Sequence, residues 1–220
     1  WIDNNSSCKG VCKRVKTLDF DPSRDPKFCD GDYCYDEVLV DLLRETLSRP
    51  SKEHRVIVLH MIGSHGPTYY RRYPEKFAKF VPDCPRSDIQ NCEEAELTNT
   101  YDNTIAYTDY VLGQIIEQLS TIPNSSMLYL SDHGESLGEN GVYLHGMPYS
   151  LAPKEQTHVP MILWMSDDFA TEKGLSDTCL RKEGKEQSFS HDNLFDSLLG
   201  LMDVQTKEYR EEQDIFAPCR

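Results

Sequence analysis

Three apolar runs along the chain have the length of buried β-strands. They are RVIVLHMIG at 55–63, MLYLS at 127–131 and VPMILWM at 159–165. Each is rich in branched or aromatic side chains and is too short to favour a buried helix. These runs predict three strands that are covered on both faces.

Apolar positions three and four residues apart predict helices over 36–47, 93–119 and 191–202. Between the first strand and the second helix, residues 64–93 contain four prolines and are expected to form a long loop. Residues 1–34 are polar, contain several cysteines and are also expected to form loops. The expected inner face of the long helix is Leu97, Tyr101, Ile105, Thr108, Leu112, Ile115 and Leu119. That of the last helix is Leu194, Leu198, Leu199 and Met202.

The alternation of strands and helices predicts an α/β layered fold with a mostly parallel sheet. Ligands of such folds bind at the carboxyl ends of the strands. Asp132 and His133 follow the second strand directly, and the loop GSHGP at 63–67 follows the first. The sequence therefore predicts a functional site built from these strand ends.

Length and charge narrow the function classes. The 220 residues make one domain or a large part of one, and no segment has the length and hydropathy of a membrane span. A net charge of −14 argues against nucleic acid as a partner, because nucleic acid requires a basic surface. No signal peptide is visible, so we expect any export signal or anchor to lie outside this chain.

Eight cysteines favour disulfides and an oxidising compartment over structural zinc, because no CxxC pair occurs and the spacings do not repeat. Short loops such as CDGDYC contain turn residues that favour local closure, but eight cysteines leave many pairings open. The cysteines fall into neighbouring pairs and one remainder: Cys8 and Cys12, Cys29 and Cys34, Cys84 and Cys92, with Cys179 and Cys219 left over.

Asp132 and His133 supply one oxygen and one nitrogen ligand, a combination that suits zinc or a similar divalent ion. Gly134 permits a close turn there, so both side chains can reach one ion. Two ligands make an incomplete site, and the alternative is a solvated aspartate beside a packed histidine. Charged residues at the end of a buried strand need a partner, which favours the metal.

His65 and His145 each stand next to glycine in a loop, where they can bind a second metal, donate to a phosphate or act as acid or base. Glu135 is as consistent with orienting a ligand as with a solvated loop position. Lys9 and Asn5 are weaker candidates for a phosphate contact. The other histidines are not assigned to the site: His60 is expected in the core, His191 at a helix start, and His54 and His158 without a role.

Four segments closely resemble the bacterial lipid A phosphoethanolamine transferases, which include the mobile colistin-resistance enzymes of the alkaline phosphatase and sulfatase-like superfamily. The segments are WIDNNSSCKGVCKRV, SHGPTYYRRYPEKFAKF, TYDNTIAYTD and SDHGESLGENGVYLHGMPY. The resemblance implies a three-layer αβα fold stapled by disulfides between neighbouring cysteines. No GxSxG elbow, P-loop or HExxH is present, so serine-hydrolase and nucleotide-hydrolase functions lose support.

The resemblance also implies a mechanism. A zinc-bound threonine takes phosphoethanolamine from phosphatidylethanolamine and passes it to a lipid A phosphate, which confers resistance to polymyxins such as colistin. Asp132 and His133 match two zinc ligands, His65 and His145 match a substrate pocket that can hold extra zinc, and Asn5 and Lys9 match contacts to phosphoethanolamine. The alternatives are transfer to another periplasmic glycan, such as a core heptose, and a related sulfatase-like phosphodiesterase.

One departure from the family pattern matters. The family's nucleophilic threonine, one glutamate ligand and the transmembrane helices lie upstream of the segment that matches WIDNN. We therefore expect residues 1–220 to be the C-terminal part of a periplasmic catalytic domain, incomplete at its N-terminus and inactive alone. We expect a monomer, held at the periplasmic face of the inner membrane by the part of the protein that this chain lacks.

Overall fold

The computed structural model of the chain describes residues 1–5, 7–18, 20–31, 33–51 and 54–220. They divide into two compact units, one of residues 1–118 and 133–158 and the other of residues 119–132 and 159–220. Both units mix helices with short strand pairs, as the α/β prediction requires. No helix in the described ranges combines the length and the apolar character that a membrane span needs.

The first unit contains two long helices, one helix of a single turn and two small strand pairs. The strands are β1 Ile2–Asp3, β2 Leu59–His60, β4 Ser136–Leu137 and β5 Tyr143–Leu144. The helices are α1 Glu37–Ser48, α2 Glu94–Leu119 and α3 Lys154–Thr157. The last residue of α2 lies outside the unit. Strands β1 and β2 form a parallel pair, and helix α1 lies between them in sequence. Strands β4 and β5 form an antiparallel hairpin.

Alternation explains why the predicted strand at 55–63 is only partly buried. Ile57, Leu59 and Met61 pack against a core formed with Val38 and Leu39 of α1. The valines between them face the other way, and Val56 is 65% exposed. The prediction of a strand buried on both faces was wrong here, because only one face of this strand has a partner.

Helix α2 confirms the predicted long helix and most of its predicted inner face, with Ile105 as the exception and three buried polar residues that were not predicted. Ile105 is 49% exposed, whereas Thr100, Asn103 and Thr104 are fully buried. Asn103 accepts hydrogen bonds from the backbone N–H groups of Lys79 and Phe80. A buried polar side chain of the helix thus provides hydrogen-bond partners for the backbone of the neighbouring loop. The spacing of apolar residues cannot reveal a helix face whose polar side chains hydrogen-bond to the backbone of a loop.

The second unit contains one strand pair and three helices. The bounds are β3 Ser126–Leu130, β6 Met161–Met165, α4 Asp167–Lys173, α5 Asp177–Glu186 and α6 Leu194–Leu201. Strands β3 and β6 are antiparallel. The core of the unit is formed by Phe169, Leu175, Leu201, Ile215 and Phe216. The last helix is rotated from its prediction, since Leu198 and Met202 are exposed while Asp196 and Ser197 are buried.

The expected mostly parallel sheet is not found in the described ranges, where one strand pair is parallel and two are antiparallel. A parallel pair needs a crossover connection, usually a helix. Helix α1 supplies one between β1 and β2, but between β3 and β6 there is only a hairpin and the four-residue α3. The α/β class is right, and the direction of the later strands was misjudged.

All four predicted disulfides form. They join Cys8 to Cys12, Cys29 to Cys34, Cys84 to Cys92 and Cys179 to Cys219. Local closure therefore holds for the first three, and the fourth closes the C-terminal segment on α5.

The Cys179–Cys219 disulfide should contribute most to stability, because its partners are 40 residues apart in sequence and a longer loop loses more entropy on closure. Replacing both cysteines with alanine is expected to cost about 4 kcal/mol of unfolding free energy. Urea titration followed by circular dichroism measures this loss. The matched control is Cys8→Ala with Cys12→Ala, whose expected cost is about 2 kcal/mol. A larger loss in the control would contradict the loop-length argument.

A histidine cluster around a buried carboxylate

Glu135 is the centre of the candidate site. Its side chain is 3% exposed, and it is held by groups from two other parts of the chain. Tyr69 donates its hydroxyl to Oε2 at 3.1 Å, and His145 Nδ1 lies 2.9 Å from Oε1. The backbone N–H of Gly66 makes a longer contact of 3.5 Å to Oε1. A buried carboxylate is costly without donors, and these partners supply them.

Three imidazoles pack against one another beside this carboxylate. The rings of His133 and His145 stack with centroids 3.9 Å apart, and the ring of His65 meets that of His145 edge-on at 5.3 Å. The structure therefore brings together His65, His133 and His145, which the sequence places in three separate motifs.

Each of these histidines is anchored through the same ring nitrogen. Nδ1 of His65 lies 2.7 Å from the carbonyl oxygen of Gly66, and Nδ1 of His133 lies 3.0 Å from that of Gly134. Nδ1 of His145 contacts the carboxylate of Glu135 in the same way. Since a carbonyl or carboxylate oxygen only accepts, Nδ1 is the protonated nitrogen in the neutral form of all three rings. In the neutral form of such a ring the lone pair is on Nε2, which is then the atom that can bind a metal or accept a proton.

The β4–β5 hairpin places Glu135 and His145 side by side. Its register pairs Ser136 with Leu144, so the residues flanking the strands meet at its open end. The buried Gln156 secures that end, donating its amide to Ser136 Oγ and to the carbonyl oxygen of Leu144, both at 3.0 Å. The ten-residue spacing in the sequence thus becomes a direct contact.

Tyr69 and Arg72 belong to the site but were missed by sequence reasoning. Burial and the charge of Glu135 raise the pKa of Tyr69, so its hydroxyl remains a donor. Arg72 is buried, which lowers its pKa, and its Nε donates to the carbonyl oxygen of His65 at 2.8 Å. Both lie on the short helical turn after GSHGP, and nothing in their spacing distinguished them from solvated residues.

The roles of the remaining candidates stay predictions. Asp132 is exposed and belongs to the second unit, whereas His133 belongs to the first. Asn5 donates its backbone N–H to Asp3, and Lys9 is exposed on the small disulfide loop with a left-handed φ of 48°.

Of the histidines left outside the site, His191 confirms its expected place at a helix start, whereas His60 does not lie fully in the core. His60 pairs through Nδ1 with Asp3 at 3.0 Å, although its side chain is 30% exposed rather than fully in the core. His191 begins a short helical turn with a capping box and contacts the carbonyl oxygen of Ser131.

Within the described part of the chain, one group of side chains has the spacing of a metal site. Ligand atoms of His133, Glu135 and His145 lie within 4.8 Å of one another. Two imidazoles and a carboxylate form a donor set that zinc accepts. Because Glu135 already accepts from Tyr69 and His145, its oxygens fit the role of orienting a histidine ligand better than that of binding the ion directly.

A family model described as Sulfatase matches residues 1–204. The chain belongs to the sulfatase family.

Among its sulfatase-family relatives, the chain is 49% identical to phosphoethanolamine transferase EptA of Salmonella typhimurium, over all of this chain and 41% of that protein. It is 39% identical to phosphatidylethanolamine transferase Mcr-1 of Escherichia coli, over 96% of this chain and 39% of that protein. The soluble domain of lipooligosaccharide phosphoethanolamine transferase A from Neisseria meningitidis matches with a TM-score of 0.95 and 45% identity, over 100% of this chain and 66% of that one.

The chain therefore spans about two fifths of the length of these curated relatives. The likeness to the Neisseria domain confirms the sulfatase-like fold that the resemblance implied.

Gly134 is expected to be essential for the position of His133. A Cβ atom there would collide with the carbonyl oxygen of Glu155, which is backbone and cannot turn away. Gly134→Ala should lower the free energy of unfolding by about 1–3 kcal/mol and shift the imidazole signals of His133 in NMR spectra. Gly113→Ala is the control, since the helical Gly113 has open space around it and alanine favours helix. Equal stability of the two variants would contradict this account.

Proposed function

We propose that this chain is part of the catalytic domain of an enzyme that transfers phosphoethanolamine from phosphatidylethanolamine to a phosphate of lipid A. The observation that carries the proposal is the cluster of three Nδ1-anchored imidazoles around buried Glu135. The names of the EptA and Mcr-1 relatives supply the reaction class. Resistance to polymyxins, including colistin, would follow from the added positive charge on lipid A.

Zinc is the metal that we propose for this site, with His133 and Asp132 as ligands and His65 and His145 available for a second ion or for the substrate. When bound, zinc would lower the pKa of an attacking hydroxyl and stabilise charge on the phosphoryl oxygens. Support comes from the donor set, because ligand atoms of His133, Glu135 and His145 lie within 4.8 Å of one another.

The chain's own residues would orient the substrate. Glu135 fixes the tautomer of His145, so Nε2 of that ring is ready to accept a proton or, once protonated, to donate to a phosphoryl oxygen. Arg72 donates a hydrogen bond to the carbonyl oxygen of His65, which fixes the backbone of His65 and thereby the direction of its ring. Asn5 and Lys9 are proposed to contact the phosphoethanolamine group.

The remaining parts of the proposal concern the longer protein. We propose that the nucleophile is a threonine outside this chain, and that the same portion anchors the protein, as a monomer, at the periplasmic face of the inner membrane. The share of the relatives that the chain spans supports this. So does a full-length Neisseria relative described as an integral membrane protein, of which this chain covers 41% at 45% identity. Four disulfides fit the periplasm.

A second candidate is transfer to another position on the same glycolipid or to another periplasmic glycan. The chain is 33% identical to an Escherichia coli protein named Kdo(2)-lipid A phosphoethanolamine 7''-transferase, over 92% of this chain and 35% of that protein. The histidine cluster binds a phosphate group in either case and does not read the acceptor. Mass spectrometry of lipid A and of core sugars, analysed separately, distinguishes the two.

Zinc binding by the chain should depend on Glu135 even if Glu135 is not a ligand. Glu135→Gln removes the charge that holds the His145 ring, so the affinity for zinc is expected to fall about 10- to 100-fold. Isothermal titration with zinc chloride measures it. Glu139→Gln, a change to an exposed carboxylate in the same loop, should leave the affinity unchanged. Equal affinities for both variants would remove Glu135 from the site.

Activity requires the full product of the gene, expressed in a polymyxin-susceptible Gram-negative host. Lipid A from these cells should gain phosphoethanolamine, detected by mass spectrometry, and the gain should disappear with Asp132→Ala or His133→Ala because each removes a proposed zinc ligand. The controls are Asp109→Ala and His158→Ala, which alter exposed residues of the same types. Unmodified lipid A from a folded, membrane-inserted wild type would refute the lipid A assignment.

A further inference from the structure

Asp36 is a buried carboxylate that the site described above does not use. It is 2% exposed and stands at the start of helix α1. An aspartate in that place ordinarily accepts from the first N–H groups of its own helix. Here the side chain makes no such cap and faces other parts of the chain instead.

Three donors from two segments converge on Asp36. Oδ1 accepts from the side-chain amide of Asn4 at 2.7 Å and from the backbone N–H of Ile62 at 3.0 Å. Oδ2 accepts from the backbone N–H of Gly63 at 2.9 Å. One carboxylate therefore joins the segment after β1 to the turn after β2.

Both of these segments lead into proposed substrate-binding residues. Asn4 directly precedes Asn5. Gly63 has a left-handed φ of 54° and lies in a turn that is closed by a hydrogen bond from the N–H of His65 to the carbonyl oxygen of Ile62. On the far side of His65, Arg72 donates to the carbonyl oxygen of that residue. The turn is thus held by one buried anion at its start and one buried cation at its end.

The charge state of Asp36 is set by competing effects. Burial raises the pKa of Asp36 above its ordinary value, and the hydrogen bonds from Asn4, Ile62 and Gly63 and the positive charge of Arg72 offset this rise only in part. Only the ionised carboxylate accepts all three hydrogen bonds through oxygens that carry no proton. An asparagine has the same shape but directs an NH₂ group at one of the three donors, so the arrangement requires an acid.

We propose that Asp36 is a positioning residue that holds the Asn4–Asn5 segment and the Gly63–His65 turn in the register that the reaction needs. The inference rests on the proposed function, because His65 and Asn5 are assigned to the substrate there. Asp36 acts through these two segments, and its role is to fix their positions before the substrate arrives.

Asp36→Asn tests this role, with Asp41→Asn as the control. Asp41 lies on the same helix, but it is on the surface and pairs with Lys27 and Arg44. In the 220-residue chain, amide exchange at Ile62 and Gly63 is expected to speed up about tenfold or more in Asp36→Asn. The NMR signals of the His65 imidazole should also move. Both are measured at a temperature where circular dichroism shows the variants fully folded, and Asp41→Asn should match the wild type.

Kinetics of the full gene product separate positioning from stability. At that same temperature kcat of Asp36→Asn should fall at least about tenfold, since small displacements of reacting groups have large effects. A purely structural residue would leave kcat of the folded enzyme unchanged, and unchanged kcat would overturn the proposal. If the wild type transfers no phosphoethanolamine, the proposed function fails. The role of Asp36 is tested separately: it would be overturned if the amide exchange rates and imidazole signals of Asp36→Asn were the same as those of the wild type.

A second variant covers the case in which Asp36→Asn does not fold. Asn4→Ala removes one of the three bonds to Asp36 and also the contact of Asn4 with the carbonyl oxygen of Cys34, while Ile62 and Gly63 remain bonded to the carboxylate. The amide signal of Asn5 should shift and kcat/KM should fall several-fold. Wild-type values for both would overturn the link between Asp36 and this segment.

Discussion

The burial of Glu135 is the constraint on which the site depends. A carboxylate with almost no exposed surface must be compensated by donors, since an unpaired buried charge costs several kcal/mol (roughly 3–5). Its partners, Tyr69 and His145, lie 66 and 10 residues away in the sequence. Satisfying one side chain therefore draws the loop after β2 and the β4–β5 hairpin together and determines the tautomer of a histidine.

The same logic extends along the loop that follows β2. Residues 61–93 contain no strand and only short helical turns in the described structure, so backbone ladders do not hold them. Buried polar groups hold this loop instead. Arg72 bonds to the carbonyl oxygen of His65, Asn103 to the backbone at 79–80, and Thr100 to the N–H of Cys84. Such bonds are directional and strengthened by low local dielectric, which suits a loop that must present side chains in fixed places.

Local features of the sequence predicted three helices and two of the strands. The shorter helices α3, α4 and α5 and the two-residue strands β1, β4 and β5 were not predicted, and the strand expected at 55–63 is only Leu59–His60. Helix α1, helix α2 and strands β3 and β6 lie within two residues of the predicted bounds, because their signals are periodicity and short apolar runs. Strand direction was missed, since it depends on which strands meet in space. The buried polar residues of α2 and the rotation of α6 were missed because Asn103 and Asp196 are buried for their hydrogen bonds, which no hydropathy pattern records. Within the site, the histidines stood out next to glycines, whereas Tyr69 and Arg72 carried no local mark.

The net charge of −14 creates a further requirement for any function that involves phosphate. An anionic substrate is repelled by the average surface of such a chain, so the site must supply local positive charge. Arg72 does not offer this charge freely, because it is buried and its Nε is committed to the backbone of His65. Lys9 is exposed, where water weakens its attraction. Protonated imidazoles and a bound divalent ion are then the remaining sources among the proposed site residues, and the cluster of His65, His133 and His145 beside buried Glu135 contains donor types that such an ion accepts.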